Sequence, residues 1–281
     1  MLQGIDVSHH QEDIDWAKVT ADFALIRAGY GKFDFQEDPY LSCNVKGASE
    51  KDIPIGVYWY SYADNIADAK KEAEACLKVI AQYRDKITLP VFFDQEYEPD
   101  ILGMSKNMRT RCCIEFLRII EDAGYKIGMY GSKDWFDNKI DVSLLDADTM
   151  YWVAQYNDEC TYTGLWTIWQ YTSTGRMDGI DGNVDLDKAK DNLLGIVKDG
   201  WQKVGGKWYW YENGKKVTNC WRKVTGASGV AYWYYLGPNG AMLKGMQRIK
   251  GKIYYFNPAA AMGVPEGACI ITDSNGEVTR S

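Results

Sequence analysis

From Gly200 onward the chain writes one aromatic pattern three times: "GWQKVGGKWYWYENG", then "CWRKVTGASGVAYWYYLGPNG", then "GMQRIKGKIYYFNPAAAM". Repetition of this kind means stacked copies of one small unit, because a single copy cannot bury its own aromatic face. Each copy alternates like a β-hairpin, and Asn213-Gly214 and Asn239-Gly240 supply a later turn. So much aromatic area in so short a stretch cannot all enter a common core. The faces left over suit a flat or cationic ligand, either a sugar ring or a quaternary ammonium group held by cation–π attraction.

The residues before this tail follow a different rule. Residues 23–31, 55–63, 87–96, 126–132, 150–156 and 165–172 are short β-rich runs, mostly apolar on both faces, as strands buried on both sides should be. Between them, residues 67–83 carry Ala69, Ala73, Leu77 and Ile80 at helical spacing. Residues 105–123 open with a Ser N-cap and stop at Gly124. Strand–helix alternation implies a parallel sheet, and this many units favour a closed barrel. The stretch is short for a complete eight-fold barrel, so some helices should be missing. The expected fold is therefore α/β: an irregular (β/α) barrel over residues 1–194, followed by a small all-β hairpin-repeat domain over residues 195–281.

The totals exclude several classes. A net charge of −7, with no block of Lys or Arg, argues against a nucleic-acid partner. No apolar run approaches the roughly 18–20 residues needed to span a membrane. The start, "MLQGIDVSHHQ", lacks a basic segment followed by an apolar one, and so does not read as a secretory signal. Seven cysteines without regular spacing read as reduced thiols of a chain made in the cytosol. Cys112 and Cys113 are adjacent, so at most one is expected on the core side of its helix. His9 and His10 are the only histidines, which disfavours a zinc site or a Cys–His nucleophile. Neither a metal nor a cofactor is expected.

In a barrel of this kind chemistry sits at the C-terminal ends of the strands, and polar residues collect there. Asp6 follows the opening "GI". Asp94 and Glu96 end one strand, Gln155 and Tyr156 another, Gln170 and Tyr171 a third, and Asp185 lies in "GNVDLD". Residues at i and i+2 of a strand share a face, so "DQE" aims Asp94 and Glu96 into one mouth. Two like charges in a partly desolvated site cannot both ionise easily, so one pKa rises. A protonated carboxyl beside an ionised one is what glycoside cleavage requires. Taken alone, the pair also reads as loop-end acids in water. Asp185, among Asp178, Asp181 and Asp187, also fits a solvated acidic loop or a weak cation site, though its spacing does not suit a calcium loop.

Together these motifs resemble the family 25 glycoside hydrolases, lysozymes of phages and Gram-positive bacteria. "GIDVSHHQEDIDW" is similar to the family's opening, "GVYWYSYA" to its third strand, and "VFFDQE" to its catalytic strand. "WVAQY", "IWQYT" and "GIDGNVDLD" are similar to its closing strands. The resemblance runs from about Gly4 to Lys188. It implies an irregular barrel with Asp6, Asp94, Glu96 and Asp185 around the site. Glu96 would be the general acid, and Asp94 the acid that assists or orients the substrate's acetamido group. Tyr60 and Tyr130 fall where family aromatics contact substrate, with Gln155, Tyr156 and Gln170 also at the strand ends.

The tail resembles the choline-binding or cell-wall-binding repeats often fused to such enzymes, most fully at "WYYLGPNGAM". In that class a ligand site draws aromatics from two neighbouring hairpins. This points to Trp201, Trp208, Trp221 and Trp233, with Tyr209, Tyr234 and Tyr254 behind them, and a first cage of Trp201, Trp208 and Trp221. The third copy has Met246 and Ile253 where aromatics are usual and Ala260 where Gly is usual, which suits a cap.

The implied protein is a muramidase cutting the β-1,4 bond between N-acetylmuramic acid and N-acetylglucosamine. Its partners would be peptidoglycan and, through the tail, choline or another wall glycopolymer. A phage endolysin, made in the cytosol and released to the wall through a holin-type lesion, fits these features. A wall-binding protein with a retired barrel is the alternative from another class, but it has no need to keep adjacent like charges. An amidase or endopeptidase would need zinc ligands or a Cys–His pair.

Overall fold

The computed structural model describes the chain except for residues 195–198, 205–206, 213–214, 227–228, 262 and 271–281, and the side chains of residues 204 and 215. The Asn213-Gly214 turn lies outside the described residues. The chain divides into two compact units, Met1–Leu194 and Gly195–Ser281.

In the first unit, eight strands close a barrel in sequence order. They are β1 (Leu2–Val7), β2 (Phe23–Tyr30), β3 (Ile55–Tyr60), β4 (Ile87–Asp94), β5 (Ile127–Ser132), β6 (Met150–Ala154), β7 (Ile168–Gly175) and β8 (Val184–Ala189). Strands β1 to β7 pair in parallel, while β8 runs antiparallel to both β7 and β1. The sheet is therefore mixed rather than wholly parallel. The connection over residues 176–183 is shorter than the dozen or so residues a parallel crossover needs, so the chain turns back.

Helices α1 (Leu41–Glu50), α2 (Ile66–Ile80), α3 (Pro99–Gly103) and α4 (Lys106–Asp122) lie between β2 and β5. Asn65 caps α2 by accepting from the Asp68 amide at 3.0 Å, and Ser105 caps α4 by accepting from Met108 at 3.2 Å. Gly124 ends α4 with φ +82°, a left-handed C′ position that suits glycine. Beyond β5 the connections shrink to a single π turn (Trp135–Lys139), a 3₁₀ turn (Val142–Leu144) and loops. These are the helices that the length leaves no room for.

Alternation along the strands sorts side chains between lumen and outer layer. Ile5, Ile26, Val57, Val91, Phe93, Met129 and Val153 face outward into the core under the helices. Phe23, Leu25, Tyr58, Phe92, Tyr130, Trp152 and Ile168 fill the lumen. Gly4 and Gly128 make room for this filling. A Cβ at Gly4 would lie 2.2 Å from the Phe23 ring, and one at Gly128 would lie 2.3 Å from Phe92. Overpacking of this kind costs about 1–3 kcal/mol.

The expectation for the two adjacent cysteines fails, because Cys112 and Cys113 are both fully buried. Helix α4 packs against the barrel on one side and α2 on the other, so neighbouring directions on it are both covered. Cys113 joins the barrel-side core, and Cys112 a small cluster with Ala63 and Ala69. Cys43, Cys76, Cys112, Cys113, Cys160 and Cys220 are free thiols.

Among its described residues the second unit holds three antiparallel hairpins: β9 (Gly200–Val204) with β10 (Lys207–Glu212), β12 (Cys220–Thr225) with β13 (Ala231–Leu236), and β14 (Gly245–Ile249) with β15 (Lys252–Phe256). A two-residue strand, β11 (Lys215–Lys216), adds to β10. The two-residue turn Lys250-Gly251 has φ of +48° and +84°, the paired positive values of a type I′ hairpin.

Candidate active site

Because side chains alternate, the lumen's apolar filling gives way to polar groups where the strands end. Asp6 on β1, Arg27 on β2, Tyr60 on β3, Asp94 on β4, Tyr130 on β5, Gln170 on β7 and Asp185 on β8 line one cavity of about 480 Å³. Strand β4 stops at Asp94, yet Glu96, two residues on, still opens on this cavity. Gln95 turns the other way and is fully buried, where its side-chain oxygen accepts from the Cys113 thiol at 3.7 Å.

Burial, with Glu96 nearby, raises the Asp94 pKa well above the carboxylate range, and the Arg27 guanidinium opposes this by favouring the charged form. Burial also raises Glu96, and there the neighbours are Glu98 and Asp185, both of which favour keeping its proton. Asp185 is pushed up to about 6 by burial. Asp6 is raised well above its ordinary value by burial and by the charges of Asp187 and Asp185.

Gln170 ties the strand ends together. Its amide nitrogen donates to Asp6 Oδ2 at 2.9 Å and Asp185 Oδ2 at 3.1 Å. Its oxygen accepts from Tyr130 at 2.9 Å and Tyr156 at 3.3 Å. Both donors and both acceptor sites of one amide are thus used. The Tyr60 hydroxyl donates to Glu98 at 2.6 Å, and burial followed by that bond raises its pKa. Gln155 does not reach the main cavity. It folds onto Thr161, donating to Oγ1 at 2.8 Å and accepting from the amide at 2.9 Å. With Tyr156 it lines a smaller pocket of about 220 Å³ that shares Glu96 and Tyr130 with the main one.

Arg27, Asp38 and the burial of Asp187 escaped the sequence reading. Arg27 is a lone cation inside "FALIRAGY", and a charge within an apolar run is a signal of burial with a purpose. Asp38, itself buried, stands 3.7 Å from Arg27 Nε and accepts from the His9 amide and the Tyr40 amide, at 3.1 and 3.0 Å. Asp187, one option for a solvated loop, is instead fully buried on β8, two residues from Asp185 and on the same face.

In the tail the hairpins make two near-copies of one arrangement. Trp201 meets Trp208 at 6.4 Å and Tyr234 of the next hairpin at 4.9 Å, with interplanar angles of 78° and 71°. Trp221 meets Trp233 at 6.3 Å and Tyr254 of the following hairpin at 4.9 Å, with angles of 89° and 66°. The three rings expected to share a cage fall at two different corners, Trp201 with Trp208 and Trp221 with Trp233. Register puts Trp201 opposite Trp210 and Trp221 opposite Tyr235, and in the first two hairpins the Trp pair meets a tyrosine of the hairpin that follows. Tyr209 holds the same register position as Tyr234 and Tyr254, but lies under Lys216 Nζ at 5.0 Å instead. In the third hairpin Met246 and Ile253 take the Trp positions and are exposed.

The family model of the glycosyl hydrolases family 25 matches residues 5–180. The chain belongs to this family. It is a lysozyme-type glycoside hydrolase, 29% identical over 209 residues to Lysozyme M1 of Streptomyces globisporus and 28% identical over 202 residues to the lysozyme of Streptococcus phage Cp-1. The first match covers 70% of each chain, and the second 66% of this chain and 56% of the phage lysozyme. The modular autolysin LytC from Streptococcus pneumoniae, solved with a synthetic peptidoglycan ligand, is 28% identical with a TM-score of 0.56, covering 66% of this chain and 46% of LytC. A second model, of the cell wall binding repeat, matches residues 232–242.

Proposed function

We propose that the barrel is an N-acetylmuramidase that hydrolyses the β-1,4 bond from N-acetylmuramic acid to N-acetylglucosamine in peptidoglycan. Glu96 donates its proton to the departing glycosidic oxygen. Ionised Asp94 supports the oxocarbenium-like centre, directly or by orienting the substrate's acetamido group, and water completes the cleavage. Asp6 and Asp185 extend the negative field, while Tyr60, Tyr130, Tyr156, Gln155 and Gln170 border the sugar path. The observation that carries this reading is that Asp94 and Glu96 open on one cavity at the strand ends with Asp6 and Asp185, and that burial raises both carboxyls of the pair while the Arg27 guanidinium offers a cation beside Asp94.

The tail then anchors the enzyme at the wall, taking choline or another wall glycopolymer between Trp201, Trp208 and Tyr234 and again between Trp221, Trp233 and Tyr254. Mass spectrometry of fragments released from purified peptidoglycan tests the reaction. Reducing ends on muramic acid are expected, and reducing ends on glucosamine would make the enzyme a glucosaminidase.

A further inference from the structure

Asp187 sits below the rim, in contact with the site but out of reach of a substrate. Its Oδ1 accepts from the Trp152 indole at 2.8 Å, and its Oδ2 is buried without an N–H or O–H donor. Asp187 and Asp6 lie on the lumen face of the paired strands β1 and β8, both buried, and each acts on the other's ionisation. Two ionised carboxylates can only accept and they repel, so a buried pair placed this way is satisfied when one of them carries a proton.

The groups around the pair give no cationic alternative. Asp185 adds a third carboxyl on β8. Tyr58 on β3, Tyr130 on β5 and Tyr156 past β6 face Asp6, and Tyr171 on β7 faces Asp187. The cavity's cation, Arg27, acts on Asp94, and the Lys188 ammonium is taken up over the Tyr171 ring at 4.3 Å.

We propose that Asp187 is a positioning residue of the reaction: it shares one proton with Asp6 inside the barrel, and through Asp6 fixes where Gln170 and Asp185 stand. The bond chain then runs from the Trp152 indole to Asp187, to Asp6, to the Gln170 amide and on to Asp185 and Tyr130. Without the proton, two buried charges would meet and the chain would open. Burial raises Asp187 to about 8, in keeping with a proton held through neutral pH.

The inference rests on the muramidase reading for its kinetic test alone, and the physical tests do not involve catalysis. In wild-type protein with ¹³C-labelled aspartate carboxyls, the Asp6–Asp187 pair should still hold one proton at pH 7. Both carboxyls ionising with ordinary aspartates, near pH ~4, would overturn the proposal. An asparagine at 187 can accept from Trp152 and donate to Asp6. Asp187→Asn should therefore keep turnover within about threefold, while Asp187→Ala should lower kcat at least about tenfold with little change in KM. Equal losses in the two variants, or full activity in a folded Asp187→Ala, would also overturn it.

Between the unfolded value near ~4 and the folded value of about 8, a carboxyl with a raised pKa makes the protein less stable as pH rises. The urea midpoint of wild type should thus fall from pH 5 to 8 more steeply than that of Asp187→Asn, and parallel curves would count against the shared proton. Should either variant fail to fold, the wild-type carboxyl titration still decides. A failed muramidase reading would show instead as the wrong reducing ends with the carboxyl titration as expected.

Discussion

In the barrel, Trp152 is fully buried in a lumen and donates its indole N–H to a carboxyl, whereas in the tail Trp233 is 44% exposed and meets the Trp221 ring at a right angle. The same residue type does opposite jobs. Eight strands, unlike in sequence, converge to build one polar site in the first unit. Two hairpin junctions of repeating register build nearly the same aromatic corner twice in the second. A convergent site concentrates its chemistry, so single losses there should be severe. A repeated site divides its binding, so single losses should be partial.

The severest expected loss follows from Glu96→Gln, which removes the donated proton while keeping the shape. Turnover on soluble glycan should fall at least about 10²-fold, the lower range for general acid catalysis, with retention on walls unchanged. Near-normal turnover would sink the assignment of the acid. Asp94→Asn should come close to it, since it removes the carboxylate that faces Arg27 across the cavity.

The same carboxyls set the pH response. Activity should rise as the Asp94–Glu96 pair loses its first proton and fall as it loses its second, giving a bell with an acidic-to-neutral optimum. Both groups are raised above their ordinary values, so the bell lies higher than it would for exposed acids. Stability should move in one direction only. Asp6, Asp94, Glu96, Asp185 and Asp187 all bind protons more tightly folded than unfolded. Stability from this group is full below the unfolded values near ~4 and is lost as pH rises through the folded ones. Urea midpoints from pH 4 to 8 check the sign, and a rising series would refute it.

The contrast between the units also explains what could be read from residues alone. Strands such as Ile55–Tyr60 announce themselves because both faces are apolar, and α4 because Ser105 and Gly124 mark its ends. Strand β8 carries Asp185, Asp187 and Lys188, so hydropathy gave no strand there, and only motif likeness pointed to it. The antiparallel return of β8 depends on loop length and on closure with β1, which no local pattern encodes. Arg27 was visible as a charge in an apolar run, but its partner Asp38 lies on a different segment, and only the fold brings them together. In the tail, repetition showed the hairpins, while the choice of Tyr234 over Trp221 as third wall depends on register.

A chain ending at residue 194 removes the repeated sites altogether. It should keep turnover on soluble glycan, because the barrel's strands and cavity lie within Met1–Leu194. Lysis of whole cells should drop by about 10²-fold, the low end of what tethering to a surface provides. Unchanged lysis would mean that the hairpins serve packing or self-association rather than anchoring.

Finer tests compare the two junctions with each other. Trp201→Ala and Trp221→Ala should weaken wall retention by similar amounts, since each Trp meets its partners at matching distances. For a choline ligand, each aromatic contact is worth about 0.5–2 kcal/mol, and free choline at millimolar levels should release the protein. Release by a wall sugar but not by choline would change the ligand and leave the junctions standing. Smallest of all should be the effect of Tyr209→Ala. Tyr209 shares the register position of Tyr234 and Tyr254, yet its ring lies under Lys216 rather than against a Trp pair. If position on the strand alone made a wall-binding residue, Tyr209→Ala would weaken retention as much as Tyr234→Ala does. If the corner of two tryptophans and a borrowed tyrosine is the binding unit, retention in Tyr209→Ala should match wild type, and column elution of the two tyrosine variants separates these outcomes.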